Sequence, residues 1–121
     1  NSVAASRRFL KEHPEAVKAF LRATVKGLKE MARDPEEAVK AAVAFEPLLN
    51  PQIERERLDV ALSCCILTDA VRKNGFGAVD LDRLRKGIAL ITEAYKLPRQ
   101  PSVEEVYNPA FLPPVEDRKI N

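Results

Sequence analysis

The sequence predicts a mainly α fold of five or so helices, and three features carry that prediction. Proline follows a capping residue at Asp34-Pro35 and Asn50-Pro51, and Pro14 stands where a long helical pattern begins. Proline is well placed at the first helical position, since the N–H it lacks would be unpaired there. Apolar residues recur at three- and four-residue steps from Val17 to Ala32, and a second stripe runs from Leu84 to Tyr95. That is the period of a helix with one covered face. The composition, 45% apolar and 31% charged over 121 residues, is that of a globular chain long enough for one core.

Taken in order, Asn1 to Ala5 form a short linking stretch in which Val3 is flanked by small residues. Ser6 is placed to cap a first helix holding Arg7, Phe9 and Leu10. That helix stops near His13, because the proline that follows disfavours the α conformation there. Pro14 and Glu15 then open a second helix, with an acid at its positive end. Its covered stripe comprises Val17, Phe20, Leu21, Thr24, Val25, Leu28, Met31 and Ala32, while Lys18, Arg22, Lys26, Lys29 and Glu30 take the outer side.

Asp34-Pro35-Glu36-Glu37 repeats the start signal and opens a helix of small residues, Ala38 to Val43, which Pro47 stops. Asn50-Pro51 opens the next. Its charged beginning, Glu54 to Arg57, is expected to project into solvent. From Val60 to Leu67 the side chains are apolar or small on every side, so this stretch is expected to be the most buried of the chain. The alternative is that one side is a face left bare by a further part of the protein. Lys73 and the glycines of Asn74-Gly75-Phe76-Gly77 end that helix. Asp80 caps the last long helix, with Leu84, Ile88, Ile91 and Tyr95 along one stripe.

Five prolines divide the remainder. Ser102-Val103-Glu104-Glu105 is suited to one helical turn ending near Tyr107, and Tyr107, Phe111 and Leu112 are suited to anchoring an extended tail. The organisation expected is thus one helical part over residues 1–114 and a frayed tail over 115–121.

Charge and composition exclude several functions. The net charge is +2 with both signs mixed along the chain, which provides no basic stripe for nucleic acid. Trp is absent and aromatics are 6%, too few for a base-stacking platform. No run reaches the roughly 18–20 apolar residues needed to span a bilayer. The basic side of the second helix reads as a solvated face, since glutamates flank it and aromatics are missing.

Chemistry-bearing residues are few. Cys64 and Cys65 are adjacent, and neighbours on a helix point about 100° apart, so a bridge between them would be distorted. They read as two small buried apolar residues. His13 is the lone histidine and reads as part of a turn; no metal or other cofactor is expected. HExxH, CxxC, GxSxG and glycine-rich phosphate loops are all absent, and the carboxylates lie at helix starts or on solvated faces. No enzyme activity is expected of the chain.

In order and spacing, residues 6–39, SRRFLKEHPEAVKAFLRATVKGLKEMARDPEEAV, resemble the closing region of ABC-transporter substrate-binding proteins. The group they resemble comprises the nitrate, sulfonate and taurine binders and the related thiamine-pyrimidine-precursor binders. The likeness continues through Pro47-Leu48-Leu49, Glu54 to Leu58, Asn74 to Gly77, Asp80, Ala94-Tyr95 and the segment PSVEEVYNPAFLP. The vicinal cysteines and the residues after Pro114 depart from it.

The resemblance implies a fragment of a two-lobed α/β periplasmic-binding-protein (type II) fold, corresponding to its C-terminal part, with helices that cover a sheet supplied elsewhere. The opening on Asn1-Ser2 without methionine fits a fragment or cut product. It also implies a parent protein that is periplasmic, or extracellular and lipid-anchored, and that delivers a small nitrogen- or sulfur-containing solute to an ABC permease. Of this chain's residues only Asn1 and Ser2, near the expected crossover between lobes, are candidates to lie by the ligand. With its sheet missing, the isolated chain is expected to self-associate. Two other roles are compatible with the residues: a piece of a related pyrimidine-precursor synthase, whose histidine and cysteine-rich motif would lie upstream, and a stand-alone helical interaction module.

Overall fold

A computed structural model describes residues 2–120. Helix makes up 71% of it and no strand occurs among the described residues. The elements are α1 (Arg7–Glu12), α2 (Pro14–Arg33), α3 (Pro35–Phe45), α4 (Pro51–Ala61), a π-helical turn (Leu62–Ile66), α5 (Asp69–Asn74), α6 (Leu81–Ala94), α7 (Val103–Val106), a 3-10 turn (Pro109–Phe111) and α8 (Val115–Arg118).

The helix starts are those the side chains dictate. Ser6 Oγ accepts from the Phe9 N–H at 3.1 Å, Asp34 Oδ1 from Glu37 at 3.0 Å, and Asp80 Oδ1 from Asp82 and Arg83, both at 3.0 Å. Asn50 Oδ1 accepts from Gln52 and Ile53 at 3.0 and 3.2 Å. Each satisfies amide groups that the first helical turn leaves without an intrahelical partner. Prolines occupy the first turns of α2, α3 and α4 as expected.

Helix α2 carries α1 on one side and α3 on the other, α3 pairs with α4, and the 3-10 turn returns to α2. Helix α6 packs on α7. The core strung through these contacts is thin. Val17, Val25, Val39, Leu62, Phe76 and Ile88 are buried, yet none is wholly enclosed. The stripe of α2 behaves as its spacing requires: Val17 and Val25 are inside, and Leu21, Thr24, Leu28, Met31 and Ala32 are half-buried. Phe20, at the stripe's edge, is 57% exposed.

The chain exposes 9417 Å². A compact monomer of 13.5 kDa exposes about 6,500 Å². Large apolar residues stand exposed on this chain, among them Phe45, Leu48, Val60, Leu90 and Tyr95. On α6 the expected stripe closes at Leu84 and Ile88 but lies open at Ile91 and Tyr95.

Several expectations are corrected. The stretch Val60 to Leu67 is not the most buried: only Leu62 is inside, Val60 is 63% exposed, and both Cys64 and Cys65 lie at the surface. Nor does one helix run through it. The Leu67 N–H reaches back five residues to the Leu62 carbonyl (2.9 Å), and Thr68 then caps a separate helix, its Oγ1 accepting from Val71 at 3.3 Å. Thr68-Asp69 is a cap followed by a first-turn acid, a start signal that the apolar run before it masks. Within the charged opening of α4, Glu54 and Arg55 are half-buried instead of projecting into solvent, because Arg55 reaches across to Glu36 of α3.

A further correction concerns the tail. Residues 115–118 form α8, and Arg118 is 7% exposed, the one buried charged side chain among the described residues. Asn121 lies outside the described residues. The anchors Tyr107, Phe111 and Leu112 are half-buried as expected, and Tyr107 donates its hydroxyl proton to the Gly77 carbonyl at 2.8 Å.

Candidate functional site

Ser2 lies exposed in the non-helical lead-in to α1. Asn1, the other candidate ligand neighbour, lies outside the described residues. Ser2 lines neither of the two concavities described below.

Two of the surface concavities that the described residues form lie elsewhere. The larger, about 670 Å³, is an open groove between α3 and α4, floored by Val39, Val43 and Ala44 and rimmed by Glu36, Lys40 and Arg55. Arg55 is the one cation reaching into it from α4. Its Nη1 donates to Glu36 Oε1 at 3.0 Å and its Nη2 pairs with Asp59 Oδ1 at 2.9 Å, while its buried Nε has no partner. Two carboxylates thus neutralise this guanidinium. Lys40 on the rim is exposed and pairs with Glu37 at 3.4 Å, and what remains is an apolar trough with a clamped ion pair at its edge, a shape suited to packing against another surface.

The smaller concavity, about 290 Å³, lies where the tail crosses α2, between Val25, Lys26, Lys29 and Pro113, Asp117. The Lys29 ammonium donates to the Asp117 carbonyl at 3.2 Å. One member of the basic outer side of α2 is thereby used to hold the tail, and Lys18 pairs with Glu15 at 2.8 Å. That pairing holds the Glu15 carboxyl below its ordinary range.

The electrostatic centre of the chain is Glu105. Arg99 grips it with two bonds, 2.8 and 2.7 Å, and the Ser102 amide donates to it at 2.9 Å while the Glu105 amide donates to Ser102 Oγ at 3.3 Å. This capping box starts α7. Arg7 of α1 adds a long contact at 3.5 Å. Arg99 first, then the Ser102 amide, push the Glu105 carboxyl down to about 2. The constellation joins the two ends of the chain and offers no reactive group, because every oxygen it presents is engaged with a donor.

His13 is exposed at the junction of α1 and α2, its ring 5.0 Å from that of Phe9. Among the described residues no three His, Cys, Asp or Glu side chains converge to hold a metal ion. No helix is long and apolar enough to cross a membrane among those residues. Sequence reasoning missed the Arg55 clamp and the Arg118 anchor. The signal for neither is local, since Arg55 meets Glu36 across 19 residues and Arg118 meets Phe76 across 42.

Residues 1–38 match the family model described as NMT1/THI5 like. The match takes in α1, α2 and the first turn of α3, and it ends one residue before the buried Val39. No curated protein and no solved structure matches the chain.

Proposed function

We propose that this chain is a helical, non-catalytic part of an extracytoplasmic solute-binding protein of the NMT1/THI5-like kind. The observation that carries the reading is the family match over residues 1–38. It coincides with the stretch whose order of helix starts resembles the nitrate, sulfonate, taurine and pyrimidine-precursor binders. The parent would capture a small nitrogen- or sulfur-containing solute and pass it to an ABC permease. The chain's own role is to cover the sheet of a lobe, in the C-terminal part of that parent.

The surface supports a covering role. The excess over a compact monomer of this mass is about 2,900 Å². Obligate interfaces bury about 1,000–2,500 Å² on each partner. The open part of α6, the exposed Val60 and the apolar trough between α3 and α4 are the faces that a sheet or further helices would cover. Ser2 then stands at the entry to the chain, near the crossover between lobes.

The coding sequence on both sides of this chain tests the reading. An export signal followed by alternating strands and helices agrees with it, and calorimetry on the full-length product should then show binding of an aminopyrimidine, taurine or nitrate. A cysteine-rich motif without an export signal would replace the receptor with a pyrimidine-precursor synthase. Submicromolar solute binding by the 121-residue chain alone would overturn the covering role.

A further inference from the structure

We propose that Cys64 and Cys65 form a two-thiol site that captures monosubstituted trivalent arsenicals, both sulfurs bonding to one arsenic atom. This inference is independent of the family reading.

Both cysteines are free and both are exposed. They sit in the middle of the π-helical turn Leu62–Ile66, of which Leu62 is the buried member. A single turn with five-residue hydrogen bonding is an uncommon local widening of a helix. It is closed here by the Leu67 amide on the Leu62 carbonyl, and the helix ends directly after it. Because both side chains are exposed, burial does not hold the two thiols in place. Ser63 Oγ lies 3.6 Å from Cys64 Sγ while its proton goes to the Val60 carbonyl at 3.2 Å, so the hydroxyl can serve that sulfur only by turning from the carbonyl.

The choice of ligand follows from geometry and coordination number. A disulfide needs sulfurs ~2.05 Å apart and β-carbons ~3.8 Å apart, which neighbouring helical residues do not offer without distortion. A bridging atom bound to each sulfur at ~2.3 Å tolerates sulfurs well beyond disulfide distance. Tetrahedral zinc would ask for four ligands, and no group of three His, Cys, Asp or Glu converges among the described residues. Thiolates prefer soft partners. An arsenic atom with one organic substituent offers two positions for sulfur, which is the number of thiols present.

The reaction conserves atoms and electrons. An arsenoxide R–As=O meets two thiols; both S–H bonds break, two S–As bonds form, and the oxygen leaves with the two protons as water. Arsenic stays trivalent and sulfur is not oxidised, so no oxidant or reductant takes part.

The test uses the reduced 121-residue chain with phenylarsine oxide, read by intact-mass spectrometry, alongside a thiol count with an aromatic disulfide reagent. One adduct per chain is expected, consuming both thiols together and reversed by a small dithiol but not by a monothiol. Cys64→Ser and Cys65→Ser should each weaken capture by ~100-fold or more, because the second sulfur acts at a high effective concentration only when both are present. Two arsenicals per chain, or capture by either serine variant within ~10-fold of the parent, would overturn the shared site. Failure to form any adduct would do the same, whether the thiol count is two or none.

Discussion

Phe76 and Arg118 hold each other twice, once through backbone and once through a side chain. The Phe76 amide donates to the Arg118 carbonyl at 2.9 Å, and the Arg118 guanidinium donates back to the Phe76 carbonyl and, at 2.8 Å, to that of Pro113. Both residues are buried, Phe76 at 6% and Arg118 at 7% exposure. The loop between α5 and α6 is thus closed by a residue 42 positions from Phe76.

Removing the guanidinium tests this closure. Hydrogen bonds to charged groups contribute roughly 1.5–3 kcal/mol, and Arg118→Ala leaves two buried carbonyls without their donor. The expected result is a loss of about 2–3 kcal/mol, with amides of the loop and of α8 exchanging faster in hydrogen-exchange measurements. Unchanged protection at the Phe76 amide would show the side chain to be dispensable.

Gly75 is the second half of the same joint. Its φ is +78°, and a β-carbon there would stand 2.9 Å from the Arg118 Cβ and 3.2 Å from its carbonyl carbon. Gly75→Ala combines an unfavourable left-handed backbone with a clash against backbone atoms, so it should cost more than the ~1 kcal/mol of the conformational term alone. Chemical denaturation of the variant checks the value. A destabilisation below ~1 kcal/mol would mean that α8 does not seat against Gly75 in solution.

Gly27 predicts the opposite sign. It lies inside α2, and a β-carbon there meets nothing within 4 Å. Gly27→Ala should therefore raise helix stability by roughly 0.5–1 kcal/mol. A destabilised variant would instead show that another surface packs closely against that point of α2.

The Glu105 constellation sets a pH dependence. Arg99 and the Ser102 amide hold the carboxyl at about 2, below its ordinary 4.5, so the folded arrangement takes up this proton less readily than the unfolded chain. Its contribution is complete above pH 4.5 and disappears as pH falls through about 2. Amide shifts of Ser102 to Tyr107 should titrate in that window and move to higher pH in Arg99→Gln. A titration midpoint near 4.5 in the unaltered chain would mean that Arg99 does not hold the carboxylate.

The uncovered area predicts association of the chain in isolation. Light scattering should give a mass above that of one chain at tens of micromolar, and Leu90→Glu, at a residue 66% exposed, should reduce it. A monodisperse monomer at high concentration would rule this out.

The local start signals account for what could be read directly from residue order. Ser6, Asp34, Asn50, Asp80 and Ser102 each bond an amide two or three residues ahead, so capping is decided by neighbours and is visible in sequence. Periodicity located the stripe of α2 for the same reason. It could not decide whether the apolar run from Val60 to Leu67 meets a partner, because hydrophobicity states a tendency to be covered and not which surface is at hand to do it. Cys64 and Cys65 are exposed, so none of the described elements covers them.

The candidate site was less legible still. Ser2 stands in the open, and the ion clamp at Arg55 and the anchor at Arg118 depend on partners 19 and 42 residues away. Short-range chemistry, a cap, a proline or a turn glycine, is written into adjacent residues and determines where helices begin and end. Which charge is buried, which thiol is bare and whether the last residues fray are decided by distant contacts, because only the folded chain brings a carbonyl such as that of Phe76 within reach of Arg118.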